Sequence, residues 1–265
     1  MRTNHTKDKL LRGETVYGCA LQHFRSAEVP RVFAAAGFDY VFIDAEHTGF
    51  DLETLQDMVA TSAQAGITPL VRPGELLYSL VARVLDIGAQ GLIFPRVECP
   101  KLLEEAISWT RFPPHGKRGF GIMPPLLDYE RRTFPEIMEH LNANTLVVVQ
   151  FETRTAIERC EELLAVPGVD VAMIGPSDLS ISLGVAGQFD SPVLADAVAR
   201  LIAACERRRV VPGIQCRSSE QALHWVESGM RLVGVGSDLS LLMEKSQETV
   251  SLLHNAPRQP APAPR

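Results

Sequence analysis

Several apolar runs in this sequence end on side chains of unusual polarity. YVFIDAEH, Tyr40 to His47, closes on Asp44, Glu46 and His47, and TPLVRP, Thr68 to Pro73, closes on Arg72. TLVVVQFE, Thr145 to Glu152, ends with Gln150 and Glu152, and VDVAMIGPSD, Val169 to Asp178, ends with Ser177 and Asp178. Glu152 and Asp178 close successive runs, so their carboxylates can converge on one point. Two carboxylates with no Cys and few His beside them suit a hard divalent cation, with water or substrate completing its shell. Each also suits the N-terminus of the helix that follows it, where an acid caps or meets the dipole. Arg72 reads two ways as well: a structural salt bridge to Asp44 or Glu46, or a guanidinium that holds a carboxylate or enolate oxygen. His47 is either a general base near its working pH or a loop histidine with ordinary partners. In GPSD, Gly175 allows close backbone approach, and the N–H groups opening a helix bind a small carboxylate well. Combined, these residues suit a metal-bound keto acid.

Such a set works only if one scaffold brings the ends of the runs together. Apolar strands alternate with amphipathic helices eight times. The strands are expected near Val16–Leu21, Tyr40–Glu46, Thr68–Pro73, Gly91–Val97, Thr145–Glu152, Val169–Ile174, Val210–Cys216 and Arg231–Asp238. Helices are expected over Ala27–Ala36, Leu52–Ala65, Leu77–Ile87, Lys101–Trp109, Arg154–Leu164, Val193–Arg208, Ser219–Ser228 and Leu241–Leu253, with a further short one near Tyr129–Leu141. Nearly continuous apolar strands are those of a parallel sheet covered on both faces. Eight repeats in one domain-sized chain imply an α/β fold, a (β/α)8 barrel, whose chemistry lies at the C-terminal strand ends. The GxGxxG fingerprint of a dinucleotide fold is missing after strand one. Residues 1–254 read as one domain and 255–265 as a disordered Pro/Ala-rich tail. The loop Arg111 to Pro125 is long and rich in Gly and Pro, which points to a functional role.

Composition narrows the partners. The 265 residues carry a net charge of −6, and the densest basic run, Arg207–Arg209, ends a helix where cations oppose the dipole. Nucleic acid is therefore not an expected partner. No apolar run approaches the ~18 residues of a membrane span, and the N-terminus has no secretory h-region. Five scattered cysteines without CxxC spacing fit a reducing cytoplasm and neither a disulfide framework nor a zinc site.

FDYVFIDAEH, PLVRP, LDIGAQGLIFPRV, GKRGFG, QFET, IGPSDLSISLG and VGVGSD occur in this order. This set resembles the HpcH/HpaI family of class II pyruvate aldolases over about Gly13 to Leu242. The resemblance implies a metal-dependent barrel, using Mg2+, Mn2+ or Co2+, that reversibly cleaves 4-hydroxy-2-oxo acids to pyruvate and an aldehyde. It implies a homo-oligomer, a hexamer built as a trimer of dimers that swap the last helix. Glu152 and Asp178 would be the metal ligands, and Arg72 would bind pyruvate and stabilise its enolate. His47 with Asp44 would serve proton transfer through a water at the metal. The amides of Ser177 and Asp178 would hold the pyruvate carboxylate, and Gln150 would support the metal's shell. Asp86 resembles a residue sent into the neighbouring subunit's site. A Schiff-base mechanism would need a strand-end Lys, and none is present; Lys117 lies in the long loop.

Departures fall on the aldehyde side. GELLYS follows PLVRP in place of an aromatic and Asn-Asp segment. Leu21 stands near a usual pocket aromatic, and IMPPLLDYERRTF replaces a smaller Ala-rich segment. Oxaloacetate-type decarboxylation or a related lyase reaction through the same enolate is the alternative, with Leu21, His23 and the Arg111–Pro125 loop as discriminators. Keto-acid binding without turnover is a third reading. VGVGSD has the look of a phosphate loop, but strand seven lacks its Gly-rich counterpart, so Ser237 and Asp238 read as caps of the last helix.

Overall fold

Alternation along each strand decides the architecture. In the computed structural model, which describes residues 1–255, eight parallel strands close into a barrel in sequence order. They are β1 (Val16–Leu21), β2 (Tyr40–Asp44), β3 (Thr68–Arg72), β4 (Gly91–Phe94), β5 (Leu146–Phe151), β6 (Val171–Ile174), β7 (Val211–Cys216) and β8 (Leu232–Ser237). Ala20, Tyr40, Phe42, Leu70, Ile93, Val148 and Met173 fill the interior. Their strand neighbours Cys19, Val41, Ile43, Val71, Leu92 and Val149 face outward and pack under the helices. Gly18 belongs to the same fit: a Cβ there would lie 2.3 Å from the Tyr40 ring, so the ring occupies the room a side chain would need.

The helices are α1 (His5–Leu11), α2 (Glu28–Ala36), α3 (Leu52–Ala65), α4 (Tyr78–Asp86), α5 (Pro100–Ser108), α6 (Phe134–Asn144), α7 (Arg154–Glu158), α8 (Cys160–Leu164), α9 (Pro176–Ser182), α10 (Pro192–Arg208), α11 (Ser219–Glu227) and α12 (Asp238–Asn255). The eight-fold repeat and most boundaries follow the sequence pattern. Four details differ. The polar N-terminus forms α1, which stoppers the N-terminal face of the barrel through Leu10 in the interior cluster. The helix expected from Tyr129 starts at Phe134, where Pro135 sits in the first turn and Thr133 with Glu136 makes a capping box. The helix expected over Arg154–Leu164 breaks at Arg159, whose backbone leaves the helical region. The GPSD segment opens a short helix of its own, α9.

The expected tail lies outside the described residues except Asn255, which ends α12. α12 buries only Asp238 and exposes Leu242, Met243, Val250, Leu252 and Leu253. No helix among the described residues is long and apolar enough to cross a membrane.

Candidate active site

β2 and β3 end side by side at the barrel mouth and β5 ends one strand further on, and their last inward-facing residues form a polar layer above the apolar interior. Asp44 is fully buried and Arg72 nearly so, at 5% exposure. Arg72 lies with its guanidinium carbon 5.0 Å from the centre of the Phe42 ring, one layer below. Its Nε donates to Asp44 Oδ1 at 3.0 Å and its Nη2 to Asp44 Oδ2 at 2.6 Å, a bidentate pair. Nη1 donates to Gln150 Oε1 at 3.3 Å and stands 3.2 Å from Glu46 Oε2. Three of the five guanidinium donors are thus committed to hydrogen bonds, which leaves two, one on each terminal nitrogen. The salt-bridge reading of Arg72 holds, with Asp44 as its partner.

Asp44 also accepts from Gln22 Nε2 at 2.9 Å and from the backbone N–H groups of Glu46 at 3.0 Å and His47 at 3.3 Å. Burial pushes its carboxyl up, but the Arg72 hydrogen bonds and charge outweigh that and leave it below its ordinary range. The His47 ring does not reach Asp44. It is half-exposed, with Nε2 3.6 Å from Glu46 Oε2. The His47 ring therefore has Glu46 as its carboxylate neighbour, while Asp44 serves as the anchor of Arg72.

Gln150 bridges the two halves of the site: its amide also donates to Glu152 Oε2 at 2.5 Å. Glu152 Oε1 accepts the Arg96 backbone N–H at 2.7 Å. Burial raises the Glu152 carboxyl; Asp178 and Glu46 raise it further, against the Arg96 N–H and Arg72. Glu46 Oε2 is buried and close enough to Arg72 for an ion pair, yet not aligned for a hydrogen bond with anything. Gly175 is required where β6 meets α9, because a Cβ there would stand 2.6 Å from Gln150 Nε2 and 3.1 Å from Glu152. Beyond it, the first-turn N–H groups of Ser177 and Asp178 have no intrahelical acceptor, and Asp178 is partly exposed.

This donor set suits a divalent cation. It is all oxygen, it holds a carboxyl pushed up by burial and, to a lesser extent, by two neighbouring acids, and it contains an orphaned carboxylate oxygen. No group of three or more His, Cys, Asp or Glu side chains among the described residues could hold a metal ion. A cation between Glu152 and Asp178 would need water or substrate as further ligands, as Mg2+-type sites do.

Other expected positions lie elsewhere. Asp86 ends α4 and pairs with the buried Arg118, at 3.0 Å. The long loop is tied to the strand starts, with Arg111 donating to the Thr145 carbonyl at 3.2 Å and standing 3.7 Å from Asp170. Neither reaches the mouth of its own barrel. Leu21 is wholly buried in the outer layer, so Gln22 rather than Leu21 faces the site beside His23. Ser237 caps α12 as expected, its Oγ accepting from the Ser240 N–H at 3.3 Å. Asp238 accepts the first-turn N–H of Leu239 at 2.9 Å and also those of Gln22, His23 and Phe24 at 3.3, 3.0 and 2.8 Å, locking the turn after β1 to the start of α12. Gln22 and Arg96 were not singled out from sequence. Arg96 directly follows FP at the end of strand four, so the strand-end rule that found the other residues applies to it equally.

Comparisons with known proteins bear on the family and the fold. Residues 24–244 match the model of the HpcH/HpaI aldolase/citrate lyase family. A 2-keto-3-deoxy-L-rhamnonate aldolase of Escherichia coli O17:K52:H18 is 31% identical over 261 residues, 97% of this chain and 96% of the relative. A 4-hydroxy-2-oxo-heptane-1,7-dioate aldolase of Shigella sonnei is 33% identical over 216 residues, 82% of each chain. The crystal structure of an HpcH/HpaI aldolase from Desulfitobacterium hafniense superposes with a TM-score of 0.90 at 30% identity, covering 96% of this chain and 98% of that one. With its barrel, its polar mouth and these matches along nearly its whole length, the chain belongs to the HpcH/HpaI aldolase/citrate lyase family.

Proposed function

We propose that this protein is a divalent-metal-dependent carbon–carbon lyase that reversibly cleaves a 4-hydroxy-2-oxo acid to pyruvate and an aldehyde. The observation that carries the reading is the arrangement of Arg72. It is a buried guanidinium with two N–H groups free of hydrogen bonds, held by Asp44 and Gln150, beside the Glu152–Asp178 carboxylates of a chain in an aldolase family. Glu152 and Asp178 would hold the cation, Mg2+ or Mn2+ with Co2+ as a further candidate. When bound, the cation supplies electron withdrawal from the 2-oxo acid and charge neutralisation of its enolate.

The protein's own groups do the rest. The Ser177 and Asp178 amides receive the substrate carboxylate at the α9 N-terminus, which Gly175 lets approach the barrel. His47 takes the proton from the C4 hydroxyl, with the Glu46 carboxylate beside its ring. The C3–C4 bond breaks, the C4 oxygen becomes the aldehyde carbonyl, and the electron pair moves to the C2 oxygen. The Arg72 donor faces that developing oxyanion. Proton return to C3 completes pyruvate. Gln150 keeps Arg72 and Glu152 in register.

The exposed apolar side of α12 supports a homo-oligomer in which another copy covers it, with the family's dimer-built hexamer as the expected form. Asp86, remote from its own mouth, would act in a neighbour's site. A cytoplasmic setting fits the five unpaired cysteines, four of them buried. The test is pyruvate release from a 4-hydroxy-2-oxo acid, with oxaloacetate run in parallel, with Mg2+ and with chelator. Cation-dependent release from the hydroxy acid supports the aldolase. Turnover of oxaloacetate alone would replace it with the decarboxylase.

A further inference from the structure

Arg96 carries a backbone conformation that an L-residue adopts at a cost. Its φ is 53°, in the left-handed region, immediately after β4. The turn accomplishes two things at once. It aims the Arg96 N–H into the mouth, where it holds Glu152 Oε1 at 2.7 Å. It also stands the guanidinium over the same carboxylates, with Nε 3.1 Å from Glu46 Oε1 and Nη2 4.0 Å from Asp178 Oδ1. The side chain is 58% exposed, while Glu46 beneath it is 8% exposed. Glu46 in turn links Arg96 to Arg72 through its other oxygen, 3.2 Å from Nη1. Four acids, Asp44, Glu46, Glu152 and Asp178, face two cations, Arg72 and Arg96. Arg72 is locked under Asp44. Arg96 is the one with room to leave.

We infer that Arg96 is the resident counter-ion of the proposed cation site and a positioning residue that sets its affinity. This rests on the reading of Glu152 and Asp178 as the cation's ligands. Without a dication, the guanidinium balances Glu46 and Asp178. When a dication is held between Glu152 and Asp178, Nη2 would lie beside a charge of its own sign. The exposed side chain then swings outward, while the main-chain N–H continues to orient Glu152. Entry of the metal is thus opposed by a cation belonging to the protein, and the mouth is kept from presenting an excess of bare carboxylates.

The test is Mn2+ binding to the full-length protein without substrate, read by titration calorimetry and by the EPR signal of free Mn2+, for wild type, Arg96→Met and Arg96→Lys. Arg96→Met is expected to bind Mn2+ roughly three- to ten-fold more tightly, the scale for removing one half-exposed charge a few ångströms from a dication in high-dielectric surroundings. Arg96→Lys should stay near wild type, and the Met gain should shrink as NaCl rises from low salt to about 0.5 M. Circular dichroism checks that both variants keep the fold. Wild type that binds Mn2+ with unchanged or weaker binding in Arg96→Met overturns the counter-ion role and leaves the metal reading standing. Wild type that binds no Mn2+ overturns both.

Discussion

The two ends of the barrel bury polar groups in opposite ways. At the N-terminal end the groups of Asn4, Thr6 and Lys7 are matched, although Tyr40 Oη in the barrel interior and Arg118 Nε are buried without a hydrogen-bond partner. Asn4 is fully buried, and its side chain donates to the carbonyls of Gln90 and Asn144 at 2.9 and 3.0 Å and accepts from the Lys7 N–H at 2.9 Å. Thr6 donates to the Asp39 carbonyl, and its oxygen meets the Thr68 hydroxyl at 2.8 Å. Lys7 reaches both the Thr145 carbonyl and Asp170. At the C-terminal end the acids outnumber the cations, a buried Glu46 oxygen has no hydrogen-bond partner, Glu152 is pushed up, and Arg96 holds a strained backbone. Matched groups contribute stability. Mismatched ones cost stability and persist where a ligand supplies the missing charge. What sets the mouth apart is its excess of acids over cations around one of those unpaired atoms.

Mutations at the two ends should therefore separate activity from stability. The largest effect is expected for Arg72→Ala, which removes the donor facing the oxyanion. Turnover should fall by about 10²–10³, the scale of losing one preorganised oxyanion donor, or further if the metal also binds less well. The measurement is kcat for pyruvate release. A loss below ten-fold would mean that Arg72 merely neutralises Asp44. At the other end, Asn4→Ala should lower unfolding free energy by about 1–3 kcal/mol, the cost of stranding buried backbone partners. Its kcat should remain at the wild-type value. Urea unfolding and a steady-state assay on the same sample decide this, and an Asn4→Ala protein with normal stability would break the contrast.

The smallest effect concerns the one acid at the mouth that behaves like those below. Asp44 has a folded-state pKa lowered from 3.8. Its stabilising share is therefore present above that value and lost as pH falls through the lower, folded value. Asp44→Asn should be less stable than wild type at neutral pH, with the gap narrowing in acid below about pH 4. Thermal melts across pH 2–7 read this out, and a gap that stayed constant with pH would show that the carboxylate's charge is irrelevant to its hold on Arg72.

The same contrast explains what could be read from the sequence. The barrel was legible because burial on both strand faces forces long apolar runs, and helix faces repeat between them. Asp44, Arg72, Gln150, Glu152, Ser177 and Asp178 were legible because a strand end fixes where a residue lies in this fold. What depended on distant partners was not. Asp238 reads as a helix cap, and its second task, holding the turn at residues 22–24, shows only in the structure. The His47 ring meets Glu46 rather than Asp44 because Arg72 and two backbone N–H groups already fill the latter. The α1 stopper is seven residues of ordinary polarity, and its value comes from the Asn144, Gln90 and Thr68 groups it meets. Leu21 was placed at the mouth by likeness, yet alternation along β1 turns it outward and Gln22 inward.

The central claim is that the mouth makes and stabilises a pyruvate enolate with the help of a divalent cation. The most direct measurement is exchange of the pyruvate methyl protons in D2O, followed by NMR with Mg2+ or Mn2+ and again with EDTA, for wild type beside Glu152→Gln. The account expects cation-dependent exchange in wild type that disappears with EDTA and in Glu152→Gln, while the folded structure of the variant is retained. Absence of exchange with any cation, or exchange that survives both EDTA and Glu152→Gln, would contradict it.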